Sequence, residues 1–369
     1  MLNISPQAIN HYANAMFRHE RLNDAWIAAC AGYLRTVFGE RLAGRTVVDY
    51  AFGRGNWSLA FLRAGAARVI AIDAARDNVT RLSEYCIDHG IDGIEIMHGN
   101  VLDVPIDTAA DIVWLYGILH HIQPAERFME QIAAMAPGAD ALFYIYAYDR
   151  FSPREFIVET CREMVRYRTE DEFRRDAPYL TRAARMRARD DLAAPHIDWY
   201  TARDLTTLLA GQGLAPIARY RGFEAHLHGH VPDEFVPHQW LCQRTDDRAI
   251  EVLDPPRPYT ADLDVLEDMT ETVGALDLDP EERRAIGLGL FNAHFSALAT
   301  DGGTNAAIVE DFLFLLYVLT SHGGHAVGAA APYVDLAFAA LEGRARDDMA
   351  AAGEPTVLAR HLRERRIRI

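Results

Sequence analysis

Between Thr46 and Tyr146 short apolar runs take turns with helical stretches, and this alternation is the strongest constraint on the fold. TVVDYAF (Thr46–Phe52) is β-branched and leads into glycines. A helix follows from about Asn56, then a strand at Arg68–Asp73 (RVIAID), a helix over about 75–89 and a strand near Ile94–Met97. A strand at Asp111–Tyr116 (DIVWLY), a helix over about 124–136 stopped by Pro137-Gly138, and a strand at Ala141–Tyr146 (ALFYIY) complete the series. Strands that are apolar along their whole length are buried on both faces, as in a parallel sheet covered by helices. Strands separated by helices indicate a doubly wound α/β sheet.

The flanks read differently. Residues 1–40 form a helical cap: Ser5-Pro6 opens a helix to about Phe17, and a second covers about Asp24 to Phe38. Residues 41–149 are the core. After Tyr148 the alternation stops, and Ser152-Pro153-Arg154-Glu155 is a capping-box start for a helix to about Arg168. A charged stretch to about Asp191 follows, so 150–198 reads as a helical lid insertion. Thr201-x-x-Asp204 opens a helix closed by Gly211 and Gly213. Strand-like segments near 215–230 and 238–244 bring the count to seven and place the rest of the core at 199–250. Asp254-Pro-Pro-Arg-Pro258 is a linker signal. Residues 251–369 then read as helical throughout, over about 260–275, 280–299, 304–322, 331–350 and 355–366. The stripe Phe312, Leu315, Leu316, Leu319 has the spacing of a core-facing helix.

Composition removes several functions. The net charge is −16, and an acidic surface repels nucleic acid and anionic lipid, so neither is an expected partner. All 37 basic residues are arginine, which excludes Schiff-base, pyridoxal-phosphate, P-loop and kinase lysine chemistry. Cys30, Cys86, Cys161 and Cys242 form no C-x-x-C pair, so a zinc ribbon or dithiol centre is not expected and reduced thiols in a cytoplasm are. The first residues carry no signal-peptide core, and the apolar run Phe312–Leu319 is too short to span a bilayer.

The chemistry gathers where the first strand turns into the first core helix. In Asp49-Tyr50-Ala51-Phe52-Gly53-Arg54-Gly55 the glycines let backbone approach a ligand closely. Asp73 ends the second strand, where an acid can take the ribose hydroxyls of a nucleoside. A dinucleotide fingerprint wants a third glycine where Ser58 stands, and it leaves Asp49 unexplained. A phosphate-free cofactor with an amino group fits better, with Asp49 orienting the cationic end.

These residues resemble the first motif, D-x-G-x-G-x-G, of the class I S-adenosylmethionine-dependent methyltransferases, with Ala51 at the first glycine. Gly99-Asn100-Val101 is similar to the family segment that contacts the adenine amine. Asp111 to Ile122 (DIVWLYGILHHI) is similar to the fourth-strand motif of its small-molecule members. Pro137-Gly138 matches the turn before the fifth strand, with Ala139 where a second glycine is common. The resemblance covers roughly residues 40–245 without the insertion. It implies a Rossmann-like seven-stranded fold and S-adenosylmethionine as cofactor. The cofactor would be held by Asp49, Gly53, Gly55, Asp73, Asn100, Val101, Tyr116 and Gly117.

Methyl transfer is a displacement on a sulfonium, driven mainly by positioning and electrostatics. Aromatic faces stabilise such a cation; Tyr12, Phe17 and Trp57 are the candidates, with core packing as the alternative for each. His120 and His121 follow the fourth strand at the carboxyl edge of the sheet, so one of them is the candidate general base. His196 and Tyr200, with Asp198 and Trp199, border the substrate in this reading, the alternative being a polar loop with an aromatic anchor. His226, His228 and His230 alternate and would share one face of a strand. Three imidazoles can bind a transition metal, line a polar pocket or face solvent; no close carboxylate completes a metal set, so no metal is expected.

The function expected from the sequence is methyl transfer to a small molecule under a lid that excludes water. Two alternatives use the same cofactor. One is 3-amino-3-carboxypropyl transfer or cyclisation releasing methylthioadenosine, which the fold does not separate from methyl transfer. The other is a non-catalytic scaffold. The C-terminal helices are a candidate homodimer surface.

Overall fold

The computed structural model describes residues 22–100, 109–150, 194–223 and 237–245, together with 155, 158, 159, 162, 191, 192 and 226. The helices expected near 5–17 and beyond residue 250, the linker at 254–258, and most of the lid lie outside the described residues, as do Tyr12, Phe17, Val101, His228 and His230.

In chain order the elements are α1 (Asp24–Phe38), β1 (Thr46–Tyr50), α2 (Asn56–Ala64), β2 (Arg68–Asp73), α3 (Arg76–His89), β3 (Ile94–His98) and β4 (Ile112–Leu115). A short 3-10 turn at Leu119–His121 leads to α4 (Ala125–Met135), β5 (Leu142–Asp149), β6 (Trp199–Tyr200), α5 (Ala202–Gly211), β7 (Leu214–Arg219) and β8 (His238–Arg244). Local chemistry explains the ends. Asn23 caps α1 by accepting from the amides of Ala25 (2.9 Å) and Trp26 (3.3 Å). Thr201 and Asp204 form the expected capping box at the start of α5.

The strands run in the order β3-β2-β1-β4-β5-β8-β7. Neighbours from β3 to β5 are parallel, while β8 runs antiparallel between β5 and β7. The two-residue β6 pairs in parallel with the last residues of β5, Tyr148↔Trp199 and Asp149↔Tyr200. The seven-strand α/β expectation therefore describes the main sheet, and β6 is an addition to it.

Residues on alternate sides of each strand enter separate cores. Val47, Val69, Ile112, Trp114 and Tyr144 pack with α1, α2 and α3. Val48, Ile70, Val113, Phe143 and Trp240 pack with α4 and α5. Helices thus cover both faces. The order turns outward in both directions from the β1–β4 pair, and the carboxyl ends of such strands border the crevice where ligands bind.

Two strand expectations are corrected. The first strand ends at Tyr50, not Phe52, because Ala51 takes a left-handed backbone conformation (φ 53) and turns the chain. The strand expected over 215–230 covers only Leu214–Arg219. Gly222 has φ 87, and positions 222, 223 and 226 are helical. His226 therefore does not present one face of a strand with His228 and His230; its ring lies 5.5 Å from Tyr33 on α1.

By contacts, residues 1–149, 195–229 and 236–256 form one compact unit, and 150–194, 230–235 and 257–369 form a second. The chain thus rejoins the sheet unit at Pro195.

Candidate active site

The loop after β1 is built on backbone that side chains resist. Gly53 (φ 59) and Gly55 (φ 85) are left-handed, as is Ala51. A Cβ on Gly55 would come within 2.6 Å of Leu82 Cδ1, so only glycine lets α3 approach the loop. Gly55 is the N-cap of α2, with no side chain capping the helix start. The α2 N-terminus thus meets the crevice with its first amides uncovered by a capping side chain.

Two buried carboxylates brace this loop. Asp73, at the end of β2, accepts from Gly53 N through Oδ2 at 2.8 Å. Its Oδ1 accepts from Ala75 N at 2.7 Å and Asn78 Nδ2 at 3.3 Å. A carboxylate has about four acceptor positions, so Oδ2 keeps one for a ligand hydroxyl. Asp49, in β1, accepts from Ser58 Oγ at 2.6 Å. Burial pushes Asp49 up to about 7, against the Ser58 hydrogen bond and with the help of the negative Asp73. Burial pushes Asp73 up to about 6, against its hydrogen bonds from Ala75, Gly53 and Asn78 and the field of His98. Two carboxylates removed from water favour a cationic ligand group beside them. The position that lacks the third dinucleotide glycine is thus occupied by a serine whose hydroxyl holds Asp49.

The end of β3 packs beside the end of β2. Gly99 N donates to Asp73 O at 3.0 Å, and His98 Nε2 to Ala74 O at 3.2 Å. Asn100 follows, half-buried. At the end of β4, Gly117 is left-handed (φ 75), and a Cβ there would meet nothing within 4 Å. The backbone beside Tyr116 and Gly117 therefore borders open space.

Aromatic rings line the neighbouring wall. Trp57 lies 4.9 Å from Tyr116, and Tyr116 lies 5.0 Å from Tyr146, each ring half-buried. Behind them Trp114 stacks on Tyr144 at 4.1 Å. Tyr146 was not among the residues singled out from the sequence. The available signal was the alternation Tyr144, Tyr146, Tyr148 on β5, placed by register beside Trp114 on β4. Rings of this kind offer electron-rich faces to a cation.

Past β4 the turn at Leu119–His121 meets the segment that rejoins the sheet. His120 lies within that turn, and its carbonyl accepts from Asp198 N at 2.7 Å. The His120 ring is fully buried and stacks on Tyr148 at 3.9 Å. His121, also buried, donates through Nδ1 to the His196 carbonyl at 2.9 Å. His196 Nε2 lies 2.9 Å from Asp198 Oδ1. Tyr200 is buried in the α4–α5 core. The structure thus brings His120, His121, His196 and Asp198 together and puts Asp49, Gly53, Gly55 and Asp73 in a separate cradle. Among the described residues no group of three or more His, Cys, Asp or Glu is placed to hold a metal ion. No described helix is long and apolar enough to cross a membrane.

Residues 47–137 match a family model described as a methyltransferase domain. Over 84 residues the chain is 37% identical to the cypemycin N-terminal methyltransferase of Streptomyces sp, covering 22% of this chain and 33% of that protein. Over 124 residues it is 37% identical to the probable protein arginine N-methyltransferase 6 of Arabidopsis thaliana, covering 30% of this chain and 28% of that protein. The chain thus spans about a third of the length of these curated relatives. Among solved structures it is similar to the CcbJ methyltransferase of Streptomyces caelestis, with 12% identity and a TM-score of 0.43, over 64% of this chain and 99% of that one. The matched segment is thus similar to a methyltransferase domain. It contains the glycine loop, both buried carboxylates, Tyr116, Gly117 and the His120–His121 turn.

Proposed function

We propose that the chain transfers the methyl group of S-adenosylmethionine to a small-molecule acceptor. The observation that carries this reading is the cradle itself: Asp73 fastened to Gly53, with Asp49 buried behind a loop that is left-handed at positions 51, 53 and 55. The residues present fit the cofactor. Asp73 Oδ2 keeps an acceptor position for a ribose hydroxyl, Asp49 supplies negative charge for the amino-acid end, and Asn100 supplies a polar group for the base. The backbone at Tyr116 and Gly117 borders the methionine half, beside the ring faces of Trp57, Tyr116 and Tyr146. Bound there, the cofactor supplies an activated methyl group on a cationic sulfur.

The acceptor is read from this chain's own residues, because these two curated matches cover no more than 30% of the chain. An acidic chain with no lysine disfavours polyanionic substrates. The aromatic wall suits a small organic molecule better. His196, where the chain rejoins the sheet unit, would border the acceptor. The test is mass spectrometry of cofactor-derived products with a panel of small phenols, alcohols and amines. S-adenosylhomocysteine together with a product 14 mass units heavier, one methyl group replacing one hydrogen, supports methyl transfer. Methylthioadenosine would replace this reading with aminocarboxypropyl transfer or cyclisation. Cofactor binding with neither product would replace it with a scaffold role.

A further inference from the structure

We propose that His196, held by Asp198, takes the proton from the acceptor during methyl transfer, and that His120 and His121 are positioning residues for this pair. The proposal rests on the methyltransferase reading above.

Access separates the four histidine and aspartate side chains. A general base must touch the atom whose proton it removes. The His120 ring is 0% exposed and the His121 residue 8%. The side chains of His196 and Asp198 are 35% and 29% exposed. Reaching a substrate would require the two inner rings to leave their packing, whereas the His196 side chain is already partly exposed.

Chemistry points the same way. His196 Nε2 is 2.9 Å from Asp198 Oδ1, close but not aligned as a hydrogen bond. Pairs of this type commonly tighten only with substrate bound. A carboxylate beside Nε2 favours the tautomer protonated at Nε2, which leaves the Nδ1 lone pair for a substrate. It also stabilises the imidazolium that forms. His121, by contrast, already commits Nδ1–H to a backbone carbonyl.

The pair is fixed by its neighbours rather than by its own loop. Asp198 N donates to His120 O at 2.7 Å, His121 Nδ1 donates to His196 O at 2.9 Å, and Gln123 Nε2 reaches Asp198 Oδ1 at 3.4 Å. Beneath them His120 stacks on Tyr148, and β6 begins at Trp199 beside the end of β5. Two backbone-anchored residues on either side of Ile197 are thus tied to the turn that follows β4, next to the open space at Gly117. Holding a catalytic group on packed neighbours is what keeps it within reach of a reacting atom.

In the step, an O–H or N–H proton of the acceptor passes to His196 Nδ1 as the acceptor's electron pair forms the bond to the methyl carbon. The methyl–sulfur bond breaks with its electrons on sulfur, S-adenosylhomocysteine leaves, and the imidazolium returns its proton to water. The acceptor class is therefore a hydroxyl compound or a protonated amine.

Diethyl pyrocarbonate tests this on the full chain, because it acylates accessible, unprotonated imidazole nitrogens. With modified sites read by mass spectrometry, His196 should react several-fold faster than His120 and His121. In buffer alkaline enough to keep the imidazoles unprotonated, Asp198→Asn should slow His196 several-fold, and Asp198→Glu should restore part of the rate. Nitrogen-15 NMR of the imidazoles should find His196 protonated at Nε2 in the native chain and mixed in Asp198→Asn. A His196 that reacts no faster than the two inner rings, or a tautomer unchanged in Asp198→Asn, would overturn the proposal. Calorimetry with S-adenosylmethionine separates the two levels. A native chain that does not bind the cofactor sinks the methyltransferase reading, whereas normal binding with an unreactive His196 sinks the base assignment alone.

Discussion

Gly53 and Asp73 stand 20 positions apart and are joined by one hydrogen bond, from the Gly53 amide to Asp73 Oδ2 at 2.8 Å. The bond ties the loop after β1 to the end of β2, so Asp73 shapes the loop and, in the proposed function, would also accept from the cofactor ribose. Asp73→Ala removes both roles and strands the buried Ala75 and Gly53 amides. Cofactor affinity should fall at least tenfold, and stability should fall by about 1–3 kcal/mol for the unsatisfied donors. Titration calorimetry measures the first and denaturant unfolding the second. Faster amide exchange at Gly53 in the cofactor-free variant would report the loosened loop, and unchanged affinity would remove Asp73 from the ribose site.

Ala51 occupies the left-handed conformation with φ 53, in an exposed position. An L-residue with a Cβ pays roughly 1–2 kcal/mol there, and glycine recovers most of it despite its greater freedom when unfolded. Ala51→Gly should therefore stabilise the fold by about 1 kcal/mol, seen as a rise in Tm. Cofactor affinity should hold, since the backbone already has the geometry that glycine prefers. A drop in Tm would mean that the Ala51 methyl makes a stabilising contact.

Burial raises Asp49 from 3.8 to about 7 and Asp73 from 3.8 to about 6. The sign follows from proton counting. Between about pH 4 and 7 the unfolded chain has ionised these groups while the folded chain still holds their protons, so stability falls as pH rises through that window. The contribution is present below pH 4, is lost by about pH 7, and is on the order of a few kcal/mol. A cationic ligand beside Asp49 favours its ionised form, so cofactor binding should release protons between pH 6 and 7 and tighten as pH rises. Calorimetry in buffers of different ionisation heat checks this. Asp49→Asn should flatten the stability profile and abolish most of the proton release, while the loss of charge weakens binding.

The sheet was legible because its strands are apolar on both faces and are punctuated by glycines. Arg68–Asp73 and His238–Arg244 begin and end where the residue pattern places them. The cradle was legible for a related reason: Gly53, Gly55 and Asp73 are required by backbone geometry at fixed points of a strand–turn–helix unit. What escaped depended on contacts distant in sequence. Nothing local shows that Ser58 would hold Asp49, that Tyr146 would lie beside Tyr116, or that His121 would commit Nδ1 to the carbonyl of His196, 75 residues away. The alternating histidines misled for a physical reason. Period-2 spacing implies one shared face only on a strand, and the strand ends at Arg219, before His226.

The junction at the end of β5 gives the last expectation. His238 is buried at the start of β8, where Nε2 donates to Tyr200 O at 2.8 Å and stands 3.1 Å from Asp149 Oδ1. Its ring packs edge-on against Trp240 at 5.3 Å. One imidazole therefore joins β5, β6 and β8 where the chain leaves and re-enters the sheet unit. His238→Ala should cost about 2–4 kcal/mol, from a lost buried hydrogen bond and a cavity beside Trp240. The loss should concentrate at β6, because a two-residue strand has little other pairing. Amide exchange at Tyr200 and Thr201 should accelerate more than exchange in β1 or β2, and cofactor affinity should change little, since the glycine cradle lies on other strands. His238→Gln, whose amide can still donate to the Tyr200 carbonyl, should recover part of the stability. Equal destabilisation by Ala and Gln would locate the contribution of His238 in its packing rather than in its hydrogen bond.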